Sequence, residues 1–387
     1  MFTPIIQLWQ QNNKAKILFF AFCLSLLSLY PIYKNFYNGA AVTTYERHIA
    51  LIEGRAEYYN PWQYRMLCPL LIEGMMWTYN HTIDLLYPVE EKLQLDFSQT
   101  SIPTPETEQF FSLLKTKGAL KYMIIFIAFR FFLNFLVFTL AFYVWYYFIK
   151  NKWLLLFGLI FLSVGMGNAV IASDLTFNTY LDNVFYLLTA IVILYRKNVL
   201  WLLPITILAA FNRETAMLIP ILYFISNLKV KSLSLRELFG SLKIWPGKNV
   251  WLFTFILTAV FACVFIGLRM YYGFVTPKIW KVPAGAQMIK LNLFSTVAAK
   301  SYFEMLGIFS IIPLLILYKF KQFPIRLKLW FLAIVPIWFA VHIYSVVIYQ
   351  TRLFLVPVIL IFIPMFLWLI ENNTKRITTT QLAKEQS

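Results

Sequence analysis

Long apolar runs limit the fold of this chain more than any other feature of its sequence. Of its 387 residues, 60% are hydrophobic and only 13% are charged, which is more apolar surface than one soluble core could bury. A helix needs about 20 apolar residues to cross a bilayer, and in lipid the backbone must satisfy its own hydrogen bonds. The sequence therefore predicts an all-α, polytopic transmembrane helical bundle that forms a single domain over residues 1–387.

Eight apolar runs are long enough to be predicted as full-length spans. They cover residues 17–33, 122–149, 153–172, 175–195, 250–272, 302–318, 329–349 and 353–370. Two shorter runs, 199–211 and 215–228, are each too brief to cross alone, and together they predict a short-helix hairpin over 199–228 with a polar tip. If both short runs are counted, the chain crosses the membrane about ten times.

The basic residues predict the orientation of these spans. The net charge of +17 is scattered through the connections between apolar runs and is not gathered on one soluble face, a pattern that favours topology signals over a nucleic-acid partner. Four basic connections fall on one side of ten crossings, together with both termini. They contain Lys150 and Lys152, Arg196 and Lys197, residues 229–248, and residues 319–328. We therefore predict an integral cell (inner) membrane protein with a cytoplasmic N-terminus and a cytoplasmic tail over 371–387.

In this topology the carboxylates are concentrated on the outer side. Of the 17, only Glu237, Glu371 and Glu385 are predicted to be cytoplasmic. Most of the others belong to a predicted outward loop over 34–121, which is too long to be a simple connector. Within that loop, residues 62–79 mix apolar side chains with charged ones, a pattern typical of a helix that lies at the membrane interface. Any carboxylate chemistry is therefore expected to face outward.

Four polar clusters lie where the predicted topology makes them costly. An ionisable residue at membrane depth costs at least ~2.5 kcal/mol, so it needs a partner or a water-filled cavity. The first cluster is the hairpin tip, Asn212, Arg213, Glu214 and Thr215. Two interpretations stay open for it. In the first, Arg213 and Glu214 form a local pair that caps the short helices. In the second, Arg213 offers its hydrogen-bond donors to an anionic group.

The other three clusters are assigned by their positions relative to the spans. In the second, Asp174 is expected to cap the N-terminus of the following helix, and Asn178 and Asp182 share one helix face that looks into a cavity. The third contains Gln350 and Arg352, and Arg352 either serves the site or extends to lipid headgroups. The fourth follows the first span. It contains Glu46, His48, Glu53, Glu57 and Arg65.

Other features of the sequence carry no chemistry of their own. Arg130, alone in a span, is expected to form a structural ion pair, and the three cysteines have neither disulfide nor metal-ligand spacing. The sequence contains no P-loop, no dinucleotide-binding glycine motif, no zincin motif and no hydrolase nucleophile elbow. Nucleotide hydrolysis on a P-loop, zincin chemistry and hydrolase chemistry therefore have no support.

The layout of these features resembles the GT-C superfamily of membrane glycosyltransferases. The resemblance rests on a first span followed by a large acidic outward loop, on the short hairpin with its Asn-Arg-Glu-Thr tip at 212–215, and on Gln-Thr-Arg at 350–352 before a final span that contains proline. The chain is also similar to small uncharacterised bacterial membrane proteins with a Tyr-Arg-x-Leu-x-Pro motif, here residues 64–69. The GT-C resemblance implies transfer of a sugar from a polyprenyl-phosphate donor to an acceptor hydroxyl on the outer (periplasmic) side.

The GT-C resemblance also implies roles for individual residues. Family members carry a catalytic Asp soon after the first span, whereas this chain has none between residues 34 and 84, so Glu46 stands in, with Glu53 and Glu57 as alternatives. Inversion at the anomeric carbon is implied, with arginines stabilising the departing lipid phosphate. The implied catalytic set is Glu46, Asp182 and Glu214, with the last two orienting the acceptor or binding a metal. The implied substrate-binding set is Arg65, Arg213, Arg352, His48, Asn178, Asn212 and Gln350.

Two rival functions stay open, a polysaccharide polymerase or ligase and a transporter or lipid-handling protein. The expected partners are a lipid-linked sugar phosphate donor, a glycan, lipid or protein acceptor, and membrane lipid. The sequence establishes no cofactor, and a divalent cation stays open.

Overall fold

The computed structural model describes residues 13–55, 61–92, 104–230, 244–274 and 283–385, with side chains described as far as residue 374. Within these ranges every element of regular structure is a helix, so the all-α prediction is confirmed. Seven of the described helices are long and apolar enough to cross a membrane, or eight if one bent pair is counted as a single span. These helices indicate a membrane protein, and the count of about ten crossings stays a prediction.

The main helices are numbered here in chain order. They are α1 (Lys14–Ile52), α2 (Leu67–His81), α3 (Pro105–Leu114), α4 (Ala119–Phe148), α5 (Lys152–Ser173), α6 (Phe177–Leu194), α7 (Val199–Asn212), α8 (Glu214–Ser226), α9 (Lys248–Tyr272), α10 (Ala286–Phe294), α11 (Thr296–Phe309), α12 (Ile312–Tyr318), α13 (Ile325–Ser345) and α14 (Thr351–Thr374, continuing to Glu385). Four single turns supplement them, Trp62–Tyr64, Ile83–Leu86, Val89–Lys92 and Phe320–Gln322.

Burial separates central helices from peripheral ones. In α6 and α14, 78% and 83% of the most apolar stretch is buried, whereas in α9 only 11% is buried. A helix that is apolar all round and buried belongs to the centre of a bundle, and one that leaves its apolar surface uncovered suits contact with lipid. We infer that α6 and α14 form the centre and that α9 lies at the rim.

The basic connections come together at one end of the bundle. Glu371 accepts hydrogen bonds from the backbone N–H groups of Lys150 and Asn151, each at 3.2 Å. Arg326 donates to the Tyr147 hydroxyl at 2.9 Å, and the Tyr195 hydroxyl donates to the Tyr143 carbonyl at 2.8 Å. These contacts join the connections that follow α4 and α6 with the start of α13 and the end of α14. The predicted cytoplasmic assignment of this end stays a prediction.

The first helix is longer than the predicted span. α1 continues to Ile52 through a kink at Asn38 and Gly39, where Gly39 has a φ of 94°. Glycine adopts this left-handed conformation without the steric conflict that a Cβ creates. The start of the predicted outward loop over 34–121 is therefore helical. The kink changes the direction of the helix before residues 41–52. The predicted interfacial helix over 62–79 corresponds to the turn at Trp62–Tyr64 and α2.

Two other predictions about helices have different outcomes. The run 302–318, predicted as one span, is divided into α11 and α12, which are bent by 70° at Ser310 (φ 52°) and Ile311, just before Pro313.

The run 199–228 forms two short helices, α7 and α8, as predicted. Trp330 Nε1 donates to Ser226 Oγ at 2.7 Å, which places the end of α8 beside the start of α13. The polar tip between α7 and α8 therefore lies toward the opposite end from the basic connections.

Candidate functional site

A cavity opens at the end of the bundle that lies opposite the basic connections. It lies between α1, α2 and the start of α6 and is partly open to solvent. Its α1 wall consists of Thr44, Arg47, His48 and Leu51, spaced so that they fall on one face of the helix. Arg65 and Asn178 line the cavity from the other sides, so three of the predicted site residues, His48, Arg65 and Asn178, meet here.

Arg47 and Trp62 form one corner of this cavity. The Arg47 guanidinium lies 3.7 Å from the centroid of the Trp62 ring, which is a close cation–π contact. Arg47 Nη2 also lies 3.7 Å from Asp174 Oδ2. The sequence analysis singled out the neighbours of Arg47 but not Arg47 itself. The helical spacing from His48 is the signal that would have found it, because residues 44, 47, 48 and 51 share one face.

Glu214 at the tip of the α7–α8 hairpin is held between two arginines. Arg65 Nη2 lies 2.9 Å from Glu214 Oε2, and Arg269 Nη2 lies 3.5 Å from Glu214 Oε1. The Arg269 guanidinium in turn lies 4.5 Å above the Tyr64 ring. Glu214 therefore links the Tyr64-Arg65 turn to the end of α9, and Arg269, at the end of a predicted span, joins the site.

Asp182 is the partner of Arg213, and this pair is buried. Arg213 Nη1 lies 3.2 Å from Asp182 Oδ2, and the exposed fractions of the two side chains are 6% and 1%. Thr215 Oγ1 donates to Asp182 Oδ2 at 2.8 Å. The local Arg213–Glu214 pair, one of the two interpretations of the hairpin tip, is wrong, because each residue binds a different partner.

Arg352 binds the backbone where α5 ends. Its Nη1 donates to the carbonyls of Ser173 and Asp174, and its Nη2 donates to Gln350 Oε1 at 3.0 Å. The alternative in which Arg352 extends to lipid headgroups is therefore wrong. Asp174 has a φ of 51° and ends α5, whereas Thr176 occupies the N-cap position of α6, so the predicted N-cap role of Asp174 is wrong as well.

Arg130 forms the structural ion pair that was expected of it. It is fully buried, its Nη2 lies 3.0 Å from Asp174 Oδ1, and its Nη1 donates to Asn35 Oδ1 at 3.4 Å. Phe36 and Phe177 stack against its guanidinium. Asp174, at the end of α5, thus ties α5 to α1 and α4, and its partner Arg130 contacts Phe177, which lines the cavity.

Positive charge exceeds negative charge in this network. Among the described residues, six arginines contact or surround three carboxylates, an excess of three positive charges. The arginines are Arg47, Arg65, Arg130, Arg213, Arg269 and Arg352, and the carboxylates are Asp174, Asp182 and Glu214. The Nε atoms of Arg65 and Arg213 are buried and have no hydrogen-bond partner among the described residues. A buried donor without a partner is costly, so this arrangement suits an anionic ligand.

Asn178, Asn212 and Cys68 form a hydrogen-bonded group next to Arg213. Asn212 Nδ2 donates to the Asn178 carbonyl at 2.8 Å, and Asn178 Nδ2 donates to Asn212 Oδ1 at 3.3 Å. The Cys68 thiol donates to the same Oδ1 at 3.6 Å. Burial raises the pKa of the Cys68 thiol well above its usual range, so Cys68 is a packing residue and not a nucleophile.

His48 and Glu73 are in contact at the wall that α1 shares with α2. His48 Nε2 lies 2.7 Å from Glu73 Oε1, and the Tyr122 hydroxyl donates to the same oxygen at 2.8 Å. Glu73 and Tyr122 were not among the predicted site residues. Their role depends on how α2 packs against α1 and α4, which no local pattern in the sequence reveals.

Glu46, the residue expected as the base, lies away from this cavity. It is exposed on α1, on the face opposite Thr44, Arg47 and His48. Its catalytic role stays a prediction without geometric support, and so does that of Glu53, which pairs with Arg55 at 2.6 Å on the surface. Glu57 lies outside the described residues.

The carboxylates do not form a metal site in the part of the chain that the structure describes. No group of three or more His, Cys, Asp or Glu side chains is arranged to hold a metal ion there. Asp174, Asp182 and Glu214 each bind arginine, a donor set that does not suit a cation.

Comparisons with family models, curated proteins and solved structures found no match for this chain.

Proposed function

We propose that this protein is a membrane glycosyltransferase that binds a polyprenyl-phosphate-linked sugar in the cavity and transfers the sugar to an acceptor hydroxyl. The observation that carries this proposal is a cavity at one end of an apolar helical bundle whose lining, among the described residues, includes Arg47 and Arg65 but no carboxylate. The GT-C resemblance suggests the reaction class, and the arginines in the cavity lining indicate an anionic ligand.

The arginines suit a phosphate group. A guanidinium presents a planar set of donors that matches two phosphate oxygens, and it keeps its charge when it is partly buried. Arg47 and Arg65 line the cavity itself. Arg213 binds Asp182 on α6, and Arg352 binds the backbone where α5 ends. Charge that develops on a departing lipid phosphate is stabilised by such preorganised donors.

The surroundings of the cavity suit a lipid carrier and a sugar. On α2, Cys68, Pro69 and Ile72 face the cavity, while Leu70, Leu71 and Trp77 are exposed on the other side. One helix thus separates the cavity from a surface suited to the membrane interface. Thr44 Oγ1 is buried in the cavity wall without a hydrogen-bond partner among the described residues, and Asn178 lies opposite, so both are placed to bind sugar hydroxyls.

One observation favours a second candidate, a polysaccharide polymerase or ligase. Such an enzyme also uses arginines that bind a lipid-linked sugar phosphate, but it needs no base in the segment after the first span. The exposed position of Glu46, away from the cavity, is consistent with this candidate.

The test is turnover of defined donors by the purified protein in lipid nanodiscs. Polyprenyl-phosphate and polyprenyl-pyrophosphate donors with radiolabelled sugars are supplied with mixed glycan, lipid and peptide acceptors. We expect covalent transfer from the monophosphate donor, lost in Arg65→Gln and retained in Arg326→Gln, a matched control at the other end of the bundle. Transfer from the pyrophosphate donor alone would support the polymerase or ligase. Flux of intact donor across liposomes without any covalent product would support a transporter and contradict the proposal.

A further inference from the structure

His48, Glu73 and Tyr122 form a chain of contacts that the arginine network does not explain. Glu73 Oε1 lies 2.7 Å from His48 Nε2 and 2.8 Å from the Tyr122 hydroxyl. The His48 ring centroid lies 5.2 Å from that of Tyr122 and 5.6 Å from that of Phe126. Only 5% of His48 is exposed, so these neighbours hold its ring in one orientation at the cavity wall.

The position of Glu73 determines which nitrogen of His48 carries hydrogen. An ionised carboxylate only accepts hydrogen bonds, and the Tyr122 hydroxyl already donates to the same oxygen. The neutral His48 ring therefore carries its hydrogen on Nε2, and Nδ1 keeps a lone pair. Nδ1 makes no hydrogen bond to any residue that the structure describes. A cavity-lining imidazole with a free lone pair and a carboxylate behind it can accept a proton.

We propose that His48 is the general base of the cavity and that Glu73 and Tyr122 are its positioning residues, an inference that rests on the proposed function. The acceptor oxygen forms a bond to the anomeric carbon, while the bond from that carbon to the phosphate oxygen breaks and its electron pair stays on the phosphate. The acceptor proton moves to Nδ1 of His48, and the Glu73 carboxylate stabilises the imidazolium.

The groups around His48 have two separate roles in this step, one toward the proton and one toward the phosphate. Glu73 is the negative group in contact with the ring, and Tyr122 donates to Glu73. Arg47, Arg65 and Cys68 line the same cavity, with the two arginines placed for the phosphate and the Cys68 thiol kept neutral by burial. The base and the phosphate-binding groups thus share one cavity, which the exposed Glu46 does not enter.

The state of His48 can be measured without any turnover. Diethyl pyrocarbonate ethoxycarbonylates a neutral imidazole nitrogen that carries an accessible lone pair, and peptide mass spectrometry locates the product. The chain has three histidines. His81 is exposed and serves as the reactive control. His342 is buried to the same extent as His48 but does not line the cavity, so it serves as the control for burial alone. In nanodiscs we expect His48 to be modified, at a rate that rises with pH as the imidazolium loses its proton.

Two variants test the role of Glu73 in opposite directions. Glu73→Gln removes the charge that stabilises the imidazolium, so the pH profile of His48 modification should move to lower pH. Tyr122→Phe leaves Glu73 with one hydrogen-bond donor fewer, so the pH profile of His48 modification should move to higher pH. This second variant also keeps the test possible if Glu73→Gln does not fold. An unmodified His48 in the folded protein, or profiles that neither variant shifts, would overturn the proposal.

Turnover then separates this inference from the proposed function. If the wild-type protein transfers sugar, His48→Asn should lower the rate by about 10²-fold or more while polyprenyl phosphate still binds. Transfer that survives in His48→Asn and is lost in Glu46→Gln would overturn the inference and restore Glu46 as the base. If the wild-type protein transfers no sugar, the proposed function fails, whereas the modification profiles still decide whether His48 is a proton acceptor.

Discussion

Arg213 and Glu214 are adjacent in the sequence, yet their side chains bind partners on different elements. Arg213 pairs with Asp182 on α6, and Glu214 pairs with Arg65 before α2 and Arg269 on α9. Arg213 is in an extended conformation, with φ −159° and ψ 154°, and consecutive side chains of an extended segment point to opposite sides. The hairpin tip is thus a junction between two ion-pair groups, one buried and one beside the cavity.

The buried Arg213–Asp182 pair should dominate the stability of this junction. Asp182→Asn leaves a buried guanidinium without its counter-charge, so we expect a loss of about 3–5 kcal/mol in the free energy of unfolding. The double variant Asp182→Asn/Arg213→Gln should lose less, because no charge is left unpaired. Unfolding in a denaturing detergent titration measures both. Glu53→Gln, which breaks the surface pair with Arg55, should change stability by less than about 1 kcal/mol, and an equal loss in all three variants would contradict this account.

Gly39, at the kink of α1, should tolerate substitution less well than a glycine in regular helix. Its φ of 94° places an added Cβ in conflict with the backbone, so Gly39→Ala should destabilise the protein by about 1–2 kcal/mol. Gly74→Ala is the matched control, because Gly74 lies in regular helix with open space around a Cβ. That variant should be neutral or stabilising by up to about 1 kcal/mol. Thermal unfolding in detergent distinguishes them, and equal midpoints would contradict the kink at Gly39.

Cys68 should resist alkylation in the folded protein. Burial raises the pKa of its thiol, so the reactive thiolate is scarce across the neutral and mildly alkaline range. In a variant that keeps only this cysteine, N-ethylmaleimide should label Cys68 slowly up to about pH 9 and quickly after unfolding. Mass spectrometry of the intact protein follows the reaction. Fast labelling at pH 7 would show that Cys68 is an accessible thiolate and contradict its assignment as a packing residue.

The predicted orientation can be tested by labelling from one side. Glu108→Cys lies in α3, near the cavity end, and Asn198→Cys lies between α6 and α7 at the basic end. In intact cells a membrane-impermeant maleimide should label the first and should reach the second only after permeabilisation. A chain with all three native cysteines replaced provides the background. Labelling in the reverse pattern would invert the predicted topology and place the cavity in the cytoplasm.

Sequence and structure agree where one local property is sufficient. Apolar runs of span length located most of the long helices, and the polar interruption at 212–215 located the junction between α7 and α8. The break at Ser310 was missed because the run 302–318 is apolar apart from Glu304 and Ser310. Hydropathy does not register a residue with positive φ that is followed by Pro313.

The site was predicted less completely because its members come from distant elements. Arg65, Arg213, Asp182 and Glu214 were found because charges in an apolar chain are rare, but their pairing was not. Glu46 was favoured over His48 because residues after the first span were treated as loop. In a helix these two residues occupy opposite faces. The role of Glu73 could not be predicted, because its contacts with His48 and Tyr122 depend on how α2 packs against α1 and α4.

Selective binding of a phosphate-bearing lipid in the cavity tests whether the cavity arginines recognise a phosphate. Native mass spectrometry of the protein in nanodiscs compares a polyprenyl phosphate with the polyprenol of the same chain length. We predict that the phosphate binds at least about tenfold more tightly, and that Arg47→Gln/Arg65→Gln removes this preference while Arg326→Gln keeps it. Equal binding of the two lipids, or a preference that survives loss of both cavity arginines, would contradict this prediction.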